Sequence, residues 1–250
     1  MNSKSQYGLF LIAFVLIFIV LRGPAVLLAN VNWTLVMFLT CVLAVTASAL
    51  AWGQLKKTTL LTSFQAVGFG APDRRMLWIA TVLAVLMVAF IPVYAWITES
   101  DISLLDNWLW IIVGIITGVG IAEETVFRGF VFNFLREDRP FWSAATLSMI
   151  LFGAMHLLLL LWLPIPIAIA AILLSIISAY PTAYLFEHGN KTIWPSAILH
   201  SAALATNLFA IPAELNISFS LIWIGVVLVF LFLVFAVNRR IVYARPVRTG

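Results

Sequence analysis

Apolar runs about as long as a membrane is thick dominate this sequence. A helix of about 20 apolar residues crosses a hydrocarbon core of about 30 Å. Hydrophobic residues make up 64% of the chain and charged residues 10%, which is far from the composition of soluble globular domains. The sequence therefore predicts an all-α, polytopic membrane helical bundle with about eight transmembrane helices. The predicted spans are 7–29, 33–52, 76–97, 108–135, 141–163, 165–186, 192–211 and 219–238.

The distribution of lysine and arginine predicts how the bundle is oriented, because basic loops stay on the cytoplasmic side. If the N-terminus is inside, the opposite loops carry only the acids Glu99, Asp101, Asp106 and Glu214. An even number of spans then places both termini in the cytoplasm. The basic residues of the predicted cytoplasmic segments are Lys4, Lys56, Lys57, Arg74, Arg75, Arg136, Arg139, Lys191, Arg239, Arg240, Arg245 and Arg248.

The net charge of +4 is explained by this orientation and by attraction to anionic lipid headgroups. It gives no indication of a nucleic-acid partner. No linker, repeat or low-complexity tract divides the chain, so we expect one integral membrane domain over residues 1–250. The compact size and the lack of a retention tail favour a multi-pass protein of the cell membrane, and specifically a prokaryotic inner membrane.

Six ionisable residues remain at membrane depth once the loops are set aside. Each charge there costs about 2.5 to 3.5 kcal/mol and usually marks a functional site. Glu124 and Arg128 are four residues apart, so they share a helix face and can form a buried ion pair. Glu123 lies about 100° round the helix and is the candidate catalytic base. Arg22 is expected to snorkel to the outer interface without a catalytic role. The six residues are Arg22, Glu123, Glu124, Arg128, His156 and His200.

Two histidines on later predicted spans extend this polar cluster. Phe152 and His156 lie one turn apart on the fifth span, and His200 lies on the seventh, with Asn207 nearly in phase two turns later. A single histidine in an apolar helix is usually a packing residue. Two histidines at a similar depth to a Glu-Glu-Arg cluster predict instead that the three spans form a catalytic site.

Three short motifs carry a resemblance to a known family. They are EETVFR at 123–128, FGAMH at 152–156 and the later His200. In this order, each on its own predicted helix, they resemble the CAAX prenyl protease and bacteriocin-processing family of intramembrane proteases, also called the Abi family. The resemblance covers a core of about 105–210. It implies an endopeptidase that hydrolyses peptide bonds of membrane-associated or prenylated-type substrates.

The resemblance also implies roles for individual residues. Glu123 would activate the attacking water, with Glu124 and Arg128 as its structural companions. His156 and His200 would bind the water, a metal or the developing oxyanion. A zinc ion held by Glu123 and both histidines is one version of the site. The His-Glu-x-x-His zinc motif is absent from the sequence, so we favour the version without a metal.

One departure from the family pattern keeps other functions open. The third family motif usually has Asn or Asp four residues after the histidine, and Leu204 occupies that position here. Asn207 lies about 10.5 Å from His200 along a helix axis, so it could contribute only through a shifted helix or a water. A catalytically weak scaffold, regulator or immunity factor is therefore a second hypothesis. A proton-coupled transporter is a third, although no two-halves repeat supports it.

Overall fold

The computed structural model describes residues 3–28, 30–161 and 163–237. The predicted span ends at Ala29 and Asn238 lie outside these residues, as do the four arginines from Arg239 to Arg248. The described part is almost wholly helical, which confirms the predicted all-α polytopic bundle. Its elements are α1 (Ser3–Leu27), α2 (Trp33–Lys56), α3 (Leu60–Ala66), α4 (Arg74–Ile97), β1 (Ser103–Leu104), α5 (Trp108–Asp138), α6 (Phe141–His156), α7 (Ile165–His188), α8 (Trp194–Ala203), β2 (Phe209–Ala210) and α9 (Asn216–Val237).

Seven helices in the described part of the chain are long and apolar enough to cross a membrane, and α8 is not one of them. The predicted span 192–211 is instead the ten-residue α8, a 3₁₀ turn over Ala205–Leu208 and the short strand β2. Ten residues rise only about 15 Å, about half the hydrocarbon thickness. The predicted span 192–211 is therefore not one long helix, because hydropathy shows where apolar residues lie and not where an α-helix ends.

The segment that contains α8 nevertheless connects the two ends of the bundle. At its start, the Ile193 amide donates to the Gly68 carbonyl in the turn that precedes α4 (3.1 Å). At its finish, β2 pairs antiparallel with β1 in the loop that follows α4, with Ser103 opposite Ala210. The segment thus spans the same two ends as α4. Among the described residues the chain passes through the bundle eight times, seven times as a long helix.

Helix α5 lies at the centre of the bundle, and every residue from Ala122 to Arg136 is buried. Two stretches of it, Ile115–Glu123 and Thr125–Phe132, wind as π-helix, with hydrogen bonds between residues five apart in place of four. Such winding is rare and often occurs at functional sites. It gives the middle of α5, which carries the Glu-Glu-Arg motif, a shape that differs from a regular α-helix.

The eight passages can be tested by labelling single cysteines in intact cells with a membrane-impermeant maleimide. Cys41 is the only cysteine of the chain and is buried, so a Cys41→Ala background is suitable. We expect Asp101→Cys and Glu214→Cys to react from outside, and Lys191→Cys to react only after permeabilisation. Reaction of the cysteines at positions 191 and 214 from the same side would show that 193–210 does not cross.

The close contact between α5 and the loop after α3 predicts a sensitive glycine. A methyl group at Gly129 would overlap the backbone carbonyl of Val67, which cannot move without displacing the loop. We expect Gly129→Ala to lower the free energy of unfolding in detergent by about 1 to 3 kcal/mol. Gly225→Ala is the matched control, because a methyl group there meets nothing within 4 Å and alanine favours helix. Equal thermal stability of the two variants would contradict the packing described here.

Candidate active site

A cavity of about 340 Å³ lies inside the bundle, and ionisable side chains from four helices face it. Glu123 comes from α5, His156 from the end of α6 and His200 from α8, while Arg22 comes from α1. The three sequence motifs therefore meet at one site, as expected from their similar membrane depth. Most of the remaining wall is apolar, with three hydroxyl side chains on α7: Ser175, Ser178 and Thr182.

Glu124 and Arg128 form the predicted ion pair beneath this cavity. Arg128 Nη1 lies 3.3 Å from Glu124 Oε1, and the two side chains are 2% and 0% exposed. Nη2 of Arg128 donates to the hydroxyl of Thr182 on α7. Its guanidinium carbon lies 4.5 Å from the ring centroid of Phe152 on α6. The pair thus joins three helices, and its complete burial explains why both charges need these partners.

Each histidine of the site has one ring nitrogen engaged. His200 Nδ1 lies 2.8 Å from Glu124 Oε1, and His156 Nδ1 lies 2.9 Å from the backbone oxygen of Phe152. Both partners are acceptors, so in the neutral imidazoles Nδ1 carries the hydrogen and Nε2 keeps a lone pair. In this neutral form both Nε2 atoms are acceptors, suited to receive a hydrogen bond from water.

Phe152 supports the site from below and does not line the cavity. It is 1% exposed, and its ring centroid lies 4.6 Å from that of His156 and 6.0 Å from that of His200, edge-on in both cases. With Arg128 over the same ring, Phe152 touches three members of the polar cluster. Its position predicts a packing role that fixes the orientation of the two imidazoles.

Glu123 points away from Glu124, as the helical phase predicts. Its partner is Arg22, which was expected to lie at the membrane interface. Glu123 Oε1 lies 3.3 Å from Nη2 of Arg22. The expectation that Arg22 snorkels outward is therefore wrong, because a carboxylate inside the bundle offers it a charge partner. The only signal in the sequence was the presence of Arg22 at membrane depth, which fits both arrangements equally well.

The structure does not bring Asn207 to the site. Its side chain is exposed, in the 3₁₀ turn after α8, whereas Leu204 lines the cavity. The suggestion that a shifted helix lets Asn207 replace the missing polar residue is thereby corrected, since the α-helix ends at Ala203 and Asn207 lies in the 3₁₀ turn that follows.

The residues that could hold a metal do not converge in the arrangement described. Within residues 3–28, 30–161 and 163–237, no three side chains from His, Cys, Asp and Glu lie close enough to ligate one ion. Glu123, His156 and His200 share a cavity without forming such a cluster. The arrangement therefore does not fit a three-ligand zinc site, and the chemistry derived below uses the protein side chains alone.

Comparison with known proteins agrees with the three motifs. Residues 104–206 match the family model described as "Rce1-like: Type II CAAX prenyl endopeptidase Rce1-like". No curated protein matches the chain. The matched region runs from β1 to the 3₁₀ turn and contains Glu123, Glu124, Arg128, His156 and His200, but not Arg22. Residues 104–206 of this multi-pass membrane protein are thus similar to the Rce1-like, type II CAAX prenyl endopeptidase family.

Proposed function

We propose that this protein is an intramembrane endopeptidase that cleaves membrane-associated or lipid-anchored peptides. The observation that carries the proposal is the single cavity into which Glu123, His156 and His200 project from three helices of the Rce1-like region. The apolar remainder of the cavity wall suits a substrate that arrives from the membrane. A peptide or protein substrate follows from the protease family itself.

Glu123 is the group best placed to act as the general base. Its carboxylate lines the cavity and contacts Arg22, whereas Glu124 is held by Arg128 and His200. A water in the cavity would donate one hydrogen bond to Glu123 and one to an Nε2 lone pair of His156 or His200. Glu123 takes the proton as the water oxygen attacks the scissile carbonyl carbon, and then returns it to the leaving amine.

A cleavage assay with purified protein in detergent tests the proposal. The substrates are fluorescent peptides with a farnesylated cysteine near the C-terminus, and matched peptides without the lipid. Cleavage by the wild type that depends on Glu123 is the expected result. Absence of cleavage across the panel, or cleavage that survives the loss of Glu123, contradicts the catalytic assignment.

The two adjacent glutamates should respond differently to the same substitution. Glu123→Gln removes the base, so we expect a loss of about 10² to 10⁴ in kcat. Its effect on stability should be smaller than that of Glu124→Gln, because the Arg22 side chain left without its carboxylate is 34% exposed. Glu124→Gln leaves the buried Arg128 unpaired, so we expect a loss of about 3 to 5 kcal/mol in the free energy of unfolding. Glu137→Gln is the control, because Glu137 pairs with Lys56 away from the cavity.

Chelation gives a separate test of the chemistry. Because no three candidate ligands converge among the described residues, we expect dialysis against EDTA to leave the cleavage rate within about twofold of its starting value. Added zinc should not raise the rate. A loss of activity on dialysis that stoichiometric zinc restores would instead show that the ligands converge around a bound metal ion.

A protease-like scaffold is the second candidate, and Leu204 is the observation that favours it. An apolar side chain lines the cavity where a polar one is usual in the resembling family, and Asn207 does not replace it. This candidate predicts that the wild type binds the peptides without cutting them. The assay above therefore decides between the two functions.

A further inference from the structure

The cavity has many hydrogen-bond acceptors and few donors. Glu123 offers carboxylate oxygens, and His156 and His200 offer Nε2 lone pairs, since their Nδ1 hydrogens are engaged. The three hydroxyls in the wall each donate to a backbone carbonyl of α7: Ser175 to Ala171, Ser178 to Ser175 and Thr182 to Ser178. Hydrolysis of a peptide bond needs donors, because negative charge develops on the carbonyl oxygen.

Arg22 brings to the cavity wall N–H donors that are not engaged in hydrogen bonds with other described residues. Its guanidinium carries five N–H groups, and the structure directs Nη2 to Glu123. Its Nε is buried and has no hydrogen-bond partner within the described part of the chain. An arginine beside the base therefore brings unused N–H groups and a positive charge to the place where an oxyanion would form.

The position of Arg22 follows from the packing of α1 against α2 and from aromatic contacts between α1 and α5. The Phe10 ring stacks on Phe134 with centroids 4.2 Å apart, and the Phe14 ring meets Phe127 edge-on at 6.2 Å. These pairs set an antiparallel register in which residues further along α1 meet residues earlier in α5. Arg22 consequently lies opposite Glu123, as their 3.3 Å contact shows.

We propose that Arg22 binds the oxyanion in this site: its guanidinium, presented by α1 beside Glu123, donates hydrogen bonds to the carbonyl oxygen of the tetrahedral intermediate. The inference rests on the proposed endopeptidase function. It assigns stabilisation of the oxyanion to α1, a helix outside the family match at 104–206. Arg22 also explains how a site with Leu204 in its wall can still stabilise negative charge.

Binding of a transition-state mimic separates this role from simple positioning of Glu123. The probe is a fluorescent phosphinic peptide, whose anionic tetrahedral group resembles the intermediate, and its parent peptide is the reference. Both are titrated into Glu123→Gln protein, so that no effect can pass through the base. We expect Arg22→Gln in this background to weaken binding of the phosphinic peptide by about 10²-fold and to leave binding of the parent peptide unchanged.

Two further variants keep the test interpretable. Arg22→Lys retains the charge for folding but loses the planar fork. We expect it to weaken phosphinic-peptide binding by about 10- to 20-fold, close to the lower end of the range for one lost hydrogen bond to a charged group. Arg136→Gln removes another arginine–glutamate contact between helices, with Glu187 (2.8 Å), and should leave binding unchanged because Arg136 does not line the cavity.

Turnover assays distinguish failure of this inference from failure of the proposed function. Arg22→Gln in otherwise wild-type protein should lower kcat by about 10² to 10³ with KM nearly constant. Glu123-dependent cleavage by the wild type, combined with unchanged phosphinic-peptide binding in the Arg22 variants, would overturn the oxyanion role alone. No cleavage by the wild type, with equal affinity for phosphinic and parent peptides, would overturn the function and this role together.

Discussion

The buried ion pair between Glu124 and Arg128 is the interaction on which the site depends. Both side chains are removed from solvent, where an isolated charge would be strongly unfavourable. Glu124 is therefore tied to His200 as well as to Arg128, and Arg128 to Thr182 and the face of Phe152. These partners lie on α6, α7 and α8. The contacts that stabilise this one ion pair thus hold α5, α6, α7 and α8, the helices of the Rce1-like region, in position relative to one another.

This arrangement gives the two adjacent glutamates different environments. Glu124 is surrounded by partners that stabilise its charge, and its contacts leave it no access to a substrate. Glu123 faces the cavity, where its carboxylate contacts Arg22. The division of roles is a property of helical phase, since neighbouring residues on a helix point in different directions. It holds although α5 winds as π-helix around both residues.

The sequence was sufficient for the parts of this structure that depend on local periodicity. Apolar run lengths predicted the bundle and most of its spans, and a four-residue spacing predicted the contact between Glu124 and Arg128. The π-helical winding of α5 and the early end of α8 could not be predicted, because they depend on which neighbours a helix packs against. Asn207 was misplaced for this reason, since its predicted position assumed continuous α-helix through Leu204.

Arg22 shows a different limit of sequence reasoning. An arginine near the end of an apolar run can reach the interface or turn inward to a carboxylate, and the choice depends on where a helix about a hundred residues later is packed. The local sequence pattern around Arg22 contains no information on where that later helix packs. The stacked phenylalanines of α1 and α5 that decide the register are, in sequence, indistinguishable from other apolar residues of the two spans.

The separation of 101 residues between Arg22 and Glu123 has a consequence for biogenesis. The first helix enters the membrane long before its charge partner has been synthesised, and an unpaired arginine at depth costs about 2.5 to 3.5 kcal/mol on the insertion scale. That cost is relieved only when α5 arrives with Glu123. The first helix can already pack against α2, its main neighbour in the bundle, but the Arg22–Glu123 ion pair forms only after α5 has been inserted.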